Sequence, residues 1–325
     1  MCIRDRVDTM NYIIAMVVAF IVSFAIMPLL MKLSEKIGFT DKPNKRKKHK
    51  SPTPLCGGIA LYIGFFVSYL LFVGDEAKQQ IMIFIGATFI VLIGLVDDYY
   101  KTKGKEFPIL PRLIIQLLSA ILVFKAGIIF KGFTNPFTSE FILLNPTLQF
   151  ILTITWIFGV TTVINWSDGM DGLAGGISLI SSITFFVAAI ILGRNVSALI
   201  SIGLVGSIAG FLYYNKYPAK VFMGDSGANL LGFLLSITAL DGAFKSATVM
   251  SLFIPIFALA VPIFDNLFVI FKRFSEGKPV YQADRSQIHF RLEAKGFTPK
   301  QVVKYIMIVS ILCSSISIFL LLFKQ

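Results

Sequence analysis

Carboxylate and amide side chains occur where several long apolar runs of this sequence end. They fall in three stretches, GLVDDYYKT, NWSDGMDGLAGG and NKYPAKVFMGDSGAN, which supply Asp97, Asp98, Asn165, Asp168, Asp171, Asn215 and Asp225. Mg²⁺ prefers one or two carboxylates together with phosphate oxygens and water. The neighbouring glycines allow close backbone approach, and a helix N-terminus binds anions. The pattern therefore predicts metal-assisted chemistry on a phosphate.

Cationic stretches accompany the acidic ones. PNKRKKHKSPTP contains Lys50, and DRSQIHFRLEAKGFTP contains His289 and Arg291, while Arg112 lies close to the first aspartate pair. Phosphoryl transfer depends above all on positioning and charge neutralisation, which such cations provide. The sequence has no GxxxxGK[ST] pattern, so an ordinary P-loop ATPase is not expected.

Each acidic pattern also has a structural interpretation. Asp97 and Asp98 fit a solvated helix end, although a helix C-terminus disfavours carboxylates and adjacent carboxylates repel without a cation. Asp171 fits the N-cap of the next helix. Asp265 lies inside an apolar run, where a carboxylate either serves function or locks helices by a polar contact.

Composition places the chain in a membrane. Of its 325 residues 56% are hydrophobic and 15% charged, against roughly 25% charged in soluble domains. The sequence contains ten long apolar runs, and backbone groups in lipid must be hydrogen-bonded within their own segment, so we expect these runs to be helices. We expect an all-α integral membrane protein with one polytopic domain, 11–325, after a polar extension, 1–10, with Met10 as the natural start. The ten apolar runs are about 11–33, 55–74, 80–96, 110–126, 147–164, 173–193, 196–214, 228–240, 246–271 and 301–323.

The distribution of basic residues predicts the orientation. The loops after the first, third, fifth, seventh and ninth runs hold twenty Lys and Arg, and the other loops hold four. Because positive loops stay cytoplasmic, the candidate site faces the cytoplasm and both termini face outward. Alternating aromatic and polar residues in 127–146 predict a small hairpin on the outer side of the membrane. Pro255 and Pro262 could break the long ninth run.

The motifs occur in a recognisable order: DKPNKRKKHKSPTPLCGGIA, GLVDDYYKT, NWSDGMDGLAGG, NKYPAKVFMGDSGAN, PIFDNLFVIFKR and DRSQIHFRLEAKGFTP. Together they resemble the bacterial polyprenyl-phosphate N-acetylhexosamine-1-phosphate transferases over residues 11–325. The resemblance implies transfer of GlcNAc 1-phosphate from UDP-GlcNAc to undecaprenyl phosphate, with release of UMP, to initiate a cell-wall or surface glycan such as teichoic acid or lipopolysaccharide. It implies a multi-pass protein of the bacterial plasma membrane and allows a homodimer, with no nucleic-acid partner.

The resemblance also assigns roles to the residues. Asp97 and Asp98 match the aspartate pair linked to metal and to deprotonation of the lipid phosphate. Asp225 matches the main Mg²⁺ ligand, with Asn165 near the same metal, and Mn²⁺ is a conceivable substitute. The remaining matches are Asp168 and Asp171 near the nucleotide, Asn215 at the pyrophosphate or nucleotide, Lys50 and Arg112 in the phosphate channel, and the catalytic His289 with Arg291 over the sugar and pyrophosphate.

Alternatives remain open at this point. The related phospho-MurNAc-pentapeptide transferases carry three consecutive histidines, which this chain lacks, and a membrane transporter would place its charges near mid-membrane. The family branch usually reads His-x-His-His-Arg where this chain has Gln287 to Arg291, so the sugar is not fixed by the motif. Direct attack by the lipid phosphate is the favoured route, with a covalent aspartyl intermediate as its rival.

Overall fold

The computed structural model describes residues 3–42, 52–73, 77–135, 138, 140–242, 249–279 and 285–322. Within these ranges the chain is a bundle of helices with two short antiparallel strand pairs. The helices are α1 (Ile3–Lys36), α2 (Gly57–Phe72), α3 (Ala77–Thr102), α4 (Ile109–Lys125), α5 (Pro146–Ser167), α6 (Leu173–Ile191), α7 (Asn195–Asn215), α8 (Gly224–Asp241), α9 (Val249–Ala258), α10 (Ala260–Ser275), α11 (Ile288–Ala294) and α12 (Pro299–Leu322).

The membrane character of the chain is confirmed, and the predicted number of spans is not. Among the described residues six helices are long and apolar enough to cross a membrane, namely α1, α3, α5, α6, α7 and α12, and α2 is a shorter apolar helix. The other predicted runs are also helical, but they are shorter or less apolar. The ten runs therefore locate helices more reliably than they count membrane crossings.

The predicted ninth run is two helices rather than one. Helix α9 ends at Ala258 and α10 begins at Ala260. Pro262 has no backbone N–H, so it cannot donate to the carbonyl of Ala258 four residues earlier. The hydroxyl of Ser181 on α6 donates to that carbonyl instead, at 2.7 Å. The proline thus opens the helix, and a neighbouring helix satisfies the freed oxygen.

Helix α8 lies at the centre of the bundle. Every residue from Ser226 to Asp241 is buried. The helix packs against α2, α3 and α5, and contacts α6 and α7 as well. Gly94 on α3 lies against the backbone of Ser226, so α3 and α8 cross closely. This crossing brings the end of α3 beside the start of α8.

The short strands organise two loops. Strands β1 (Thr40–Asp41) and β2 (Thr53–Pro54) pair after α1, and β3 (Gly132–Thr134) pairs with β4 (Phe141–Leu143) between α4 and α5. The predicted hairpin is thus present, while its outer location stays a prediction. Helix α1 begins at Ile3, so part of the predicted polar extension is helical, and the domain boundary at residue 11 also stays a prediction.

The close α3–α8 crossing generates a stability prediction. An added Cβ at Gly94 would meet three backbone atoms of Asp225 and Ser226 within 3.0 Å, whereas one at Gly159 would meet no heavy atom within 4 Å. We expect Gly94→Ala to lower the free energy of unfolding by about 1–3 kcal/mol through overpacking. Gly159→Ala, the matched control, should raise it by roughly 0.5–1 kcal/mol. Denaturant unfolding in detergent, followed by circular dichroism, measures both, and equal effects would contradict the packing argument.

Candidate active site

The carboxylate of Asp98 caps helix α8 from the neighbouring helix α3. Its Oδ1 accepts a hydrogen bond from the backbone N–H of Asp225 at 2.8 Å. Its Oδ2 accepts from the N–H and the hydroxyl of Ser226, at 3.1 and 2.9 Å. The first N–H groups of a helix lack partners within the helix, and this end of the helix dipole favours an anion. Asp98 therefore fixes the position of Asp225.

Asp97 and Asp225 share two cations beside this cap. Arg112 Nη1 lies 2.7 Å from Asp97 Oδ2 and 3.7 Å from Asp225 Oδ2. Lys101 Nζ lies 2.7 Å from Asp225 Oδ2 and 3.9 Å from Asp97 Oδ2. The result is a square of alternating charges, which we call the charge square. Asp97 and Asp98 are each 1% exposed, so the interpretation of this pair as a solvated helix end is wrong.

A cavity of about 190 Å³ opens beside the charge square, between α4, α5 and α8. Arg112 links the two, because it belongs to the square and also lines the cavity. Asn165 lines the same cavity, and its side chain has no hydrogen bond within the described part of the chain. The other lining residues are Ile109, Leu113, Gln116, Phe158, Thr162, Trp166 and Asn229. The site thus joins a charge cluster to a cavity lined by both polar and apolar side chains.

The loop between α5 and α6 is tied to the loop between α7 and α8. Asp171 Oδ2 accepts from the N–H of Ala219 at 2.9 Å. Asn215 Oδ1 accepts from the N–H of Gly172 at 3.0 Å, and its Nδ2 donates to the carbonyl of Val221 at 2.8 Å. The N-cap of α6 is Gly172, with φ 74° and no side-chain cap, so the prediction of Asp171 as N-cap is wrong. Asp171 and Asn215 position these loops, and their predicted nucleotide contacts stay predictions.

Asp168 lies at the C-cap of α5. The residue is exposed to solvent. The surrounding protein, and next the carboxylates of Asp225 and Asp98, raise the pKa of Asp168 to about 7. Asp168 therefore lies within the electrostatic field of the charge square, as the sequence predicts.

His289 on α11 closes over the same loop. It is 2% exposed, and its imidazole lies against Gly169, where a Cβ would collide with the ring. Its Nε2 has no hydrogen-bond partner among the described residues. Phe290 packs against the imidazole, with ring centroids 4.2 Å apart. Gly169, the first glycine of SDGMDG, is thus the residue that lets His289 approach the predicted nucleotide region.

Arg291 is held by the carboxylate of Asp265 on α10. Its Nη2 donates to Asp265 Oδ1 at 2.7 Å, and its guanidinium lies 4.1 Å from the ring centroid of Phe268. The N–H of Ile288 donates to both oxygens of Asp265, at 2.9 Å each. Of the two interpretations of Asp265, the structure favours the polar lock, which anchors α11 to α10. The predicted substrate contact of Arg291 stays a prediction, and Lys50 lies outside the described residues.

The oxygen donors beside the cavity fit a hard cation. Within the described ranges no group of three His, Cys, Asp or Glu side chains is arranged to hold a metal. Mg²⁺ needs fewer protein ligands, because it keeps water and substrate phosphates. Asp225 Oδ2 contacts two cations that can be replaced, and the Asn165 amide is free of hydrogen bonds. Asp98, also predicted as a ligand, uses both oxygens in the α8 cap, which leaves it less available than Asp225.

The sequence comparisons agree with this geometry. Residues 80–243, which include the charge square, match the model for glycosyl transferase family 4. A probable undecaprenyl-phosphate N-acetylglucosaminyl 1-phosphate transferase of Bacillus subtilis is 38% identical over 305 residues, covering 93% of this chain and 84% of the relative. The chain belongs to glycosyl transferase family 4.

Two further relatives are less similar to this chain. An undecaprenyl-phosphate alpha-N-acetylglucosaminyl 1-phosphate transferase of Yersinia pestis is 27% identical, over 92% of this chain and 81% of the relative. A phospho-N-acetylmuramoyl-pentapeptide-transferase of Staphylococcus carnosus is also 27% identical, over 96% of this chain and 99% of the relative. The family therefore includes relatives named for two different sugars.

Sequence reasoning missed several residues of the site. Lys101 was counted only as a loop cation, although its position four residues after Asp97 places both on one helix face. Ser226 lies just before the predicted run 228–240 and Asn229 lies within it, and neither is among the predicted site residues. Polar residues at helical spacing from a predicted site residue are the signal that could have found them.

The cap on α8 predicts different effects for the two adjacent aspartates. Asp98→Ala leaves two backbone N–H groups without a partner, and we expect it to lower the free energy of unfolding by about 1–3 kcal/mol. Asp97→Ala removes no backbone partner, so its effect should be smaller. Thermal unfolding of both variants in detergent measures this difference, and the reverse order would contradict the cap.

The buried histidine predicts a pH-insensitive imidazole. Burial lowers the pKa of His289 to about 4, against a smaller opposing effect of Glu293. The ring should stay neutral between about pH 5 and 8, while the unfolded chain binds a proton below about pH 6.5, so stability decreases as the pH falls through that value. Because the chain has two histidines, His49→Gln leaves a single imidazole for NMR titration. A titration midpoint near 6.5 in the folded protein would contradict the burial argument.

Proposed function

We propose that this protein transfers N-acetylglucosamine 1-phosphate from UDP-GlcNAc to undecaprenyl phosphate and releases UMP. The observation that carries the proposal is the charge square at the mouth of a cavity between membrane helices. Its cations suit the phosphates of both substrates, and the apolar lining residues Ile109, Leu113 and Phe158 suit the start of a lipid chain. The 38% identical relative named for this activity supports the choice of sugar.

The residues of the site would divide the work as follows. Lys101 and Arg112 bind phosphate oxygens in place of the aspartates that they contact now. Asp97 lies beside Arg112 and can accept a proton from the lipid phosphate. Asp98 holds Asp225 through the α8 cap, so it acts as a positioning residue. Asp225 and Asn165 would hold Mg²⁺, which when bound neutralises charge on the pyrophosphate.

The proposed chemistry is one displacement at phosphorus. A non-bridging oxygen of the lipid phosphate forms a bond to the β-phosphorus of UDP-GlcNAc. The bond from that phosphorus to the oxygen bridging the two phosphates breaks, and UMP leaves with the electron pair. The rival route passes through a covalent aspartyl intermediate. Asp98 is poorly placed as such a nucleophile because both of its oxygens accept hydrogen bonds from α8.

Six long apolar helices in the described part of the chain and bacterial relatives support a multi-pass bacterial membrane protein. The basic loops support a cytoplasmic site, since positively charged loops remain on that side. A phospho-MurNAc-pentapeptide transferase is the second candidate, because a relative of that name aligns with 96% of this chain. Its identity of 27% makes it the weaker one.

The proposal predicts UMP release that requires undecaprenyl phosphate, Mg²⁺ and UDP-GlcNAc together. Asp225→Asn should reduce the rate about 10²-fold or more, by analogy with the loss of one group that stabilises transition-state charge. Tyr62→Phe, whose hydroxyl bonds Thr88 outside the cavity, is the control and should keep full activity. Inside-out membrane vesicles should be active with added UDP-GlcNAc, and right-side-out vesicles should not.

The same assay has outcomes that contradict the proposal. Full activity in the Asp225→Asn variant would contradict the assignment of Asp225 to the active site. A preference for UDP-MurNAc-pentapeptide would favour the second candidate. Exchange of labelled UMP into UDP-GlcNAc without any lipid would favour the covalent route over direct displacement.

A further inference from the structure

Polar side chains continue into the cavity one helical turn below the charged mouth. On each of three helices a residue of the mouth has a polar neighbour toward the middle of the same helix, and all of them except Asp225 line the cavity. The pairs are Arg112 and Gln116 on α4, Asp225 and Asn229 on α8, and Asn165 and Thr162 on α5. With 3.6 residues per turn and a rise of 1.5 Å per residue, each deeper residue lies on the same face, roughly 5–6 Å further in.

The deeper layer contains a hydrogen-bonded amide pair. Gln116 Nε2 donates to Asn229 Oδ1 at 3.2 Å, which joins α4 to α8. Asn229 is 5% exposed, and its neighbours along α8 are buried apolar residues. Its Nδ2 has no hydrogen-bond partner in the described part of the chain, although the residue lines the cavity. Because Oδ1 accepts the hydrogen bond from Gln116, Nδ2 is the atom of Asn229 that remains to donate to a ligand in the cavity.

The cavity distinguishes between the two substrates of the proposed reaction. Ile109, Leu113 and Phe158 are apolar lining residues of the cavity, and Arg112 lines it beside them. A nucleotide sugar has no hydrocarbon chain to pack against these residues, whereas a polyprenyl phosphate joins an anion directly to one. The volume of about 190 Å³ is below the roughly 300 Å³ of a drug-sized pocket. It fits the phosphate and the start of the chain, with the rest of the lipid in the bilayer.

We propose that Asn229, oriented by Gln116, donates a hydrogen bond to a phosphate oxygen of the acceptor lipid. This assignment rests on the proposed function and specifies which substrate the cavity holds. Asn229 binds the phosphate from the membrane side and Arg112 binds it from the mouth. The remaining oxygen then faces Asp225 and the donor substrate.

An isosteric variant separates this role from a purely structural one. Asn229→Asp keeps the shape of the side chain and the acceptor for Gln116, but replaces the amide donor with a carboxylate. At pH 8 we expect the KM for undecaprenyl phosphate to rise at least about 10-fold, because a donor to an anion becomes a like charge. The KM for UDP-GlcNAc should stay within about 2-fold, since the donor nucleotide does not enter the cavity.

Two further variants control for folding. Gln116→Leu combined with Asn229→Leu removes both amides together, so no buried polar group is left unpaired, and it should also raise the KM for the lipid. Tyr62→Phe removes an interhelical hydrogen bond of the same kind, between Tyr62 and Thr88 at 2.6 Å, outside the cavity. We expect both KM values of this control to match those of the wild type.

A short acceptor, farnesyl phosphate, identifies the part of the lipid that Asn229 contacts. An equal rise in KM for the short and the long acceptor supports a phosphate contact, and a rise for the long acceptor alone overturns it. Unchanged KM values in Asn229→Asp and in the double variant would overturn the assignment while leaving the proposed function intact. An inactive wild type would overturn the proposed function and the assignment with it.

Discussion

The hydrogen bonds from the start of α8 to Asp98 are the constraint on which the site depends. A helix that begins inside a membrane protein leaves N–H groups that neither water nor lipid can satisfy. One carboxylate from α3 accepts from the backbone of Asp225 and Ser226, 127 and 128 residues further along the chain. The contact settles the rotation and depth of α8, and with them the direction in which Asp225 points. Gly94 makes the contact possible by letting the two helices touch.

The arrangement of charges in the site follows from the position of Asp225. Asp225, once fixed, lies close enough to Asp97 that two carboxylates must coexist, which requires cations between them. Lys101 and Arg112 provide this compensation from α3 and α4. Four charges that cancel one another at a bundle end can exchange partners without a large change in net charge. In the proposed reaction, a substrate phosphate and a metal ion would bring the two opposite charges needed for such an exchange.

The sequence predicted the helical segments well and the contacts between them poorly. Apolar run length located α5 within a few residues, because lipid imposes both helix and length. The aspartates were predicted to lie together because the apolar runs that they follow are predicted to end on the cytoplasmic side of the membrane. The cap made by Asp98 was not predictable, because local sequence does not show which helix start a buried carboxylate will meet. Asn229 was missed because hydropathy averages a single amide into its apolar surroundings.

The break between α9 and α10 is a point at which the chain can bend. The backbone hydrogen bond from residue 262 to residue 258 is absent by chemistry, and one serine hydroxyl takes its place. Bending the chain at Leu259 therefore has one backbone hydrogen bond fewer to break than bending a continuous helix. Beyond the bend, Asp265 couples α10 to α11 and so to the imidazole that rests on Gly169. A change in the angle between α9 and α10 would therefore be passed through Asp265 to α11 and would move the ring of His289 relative to Gly169.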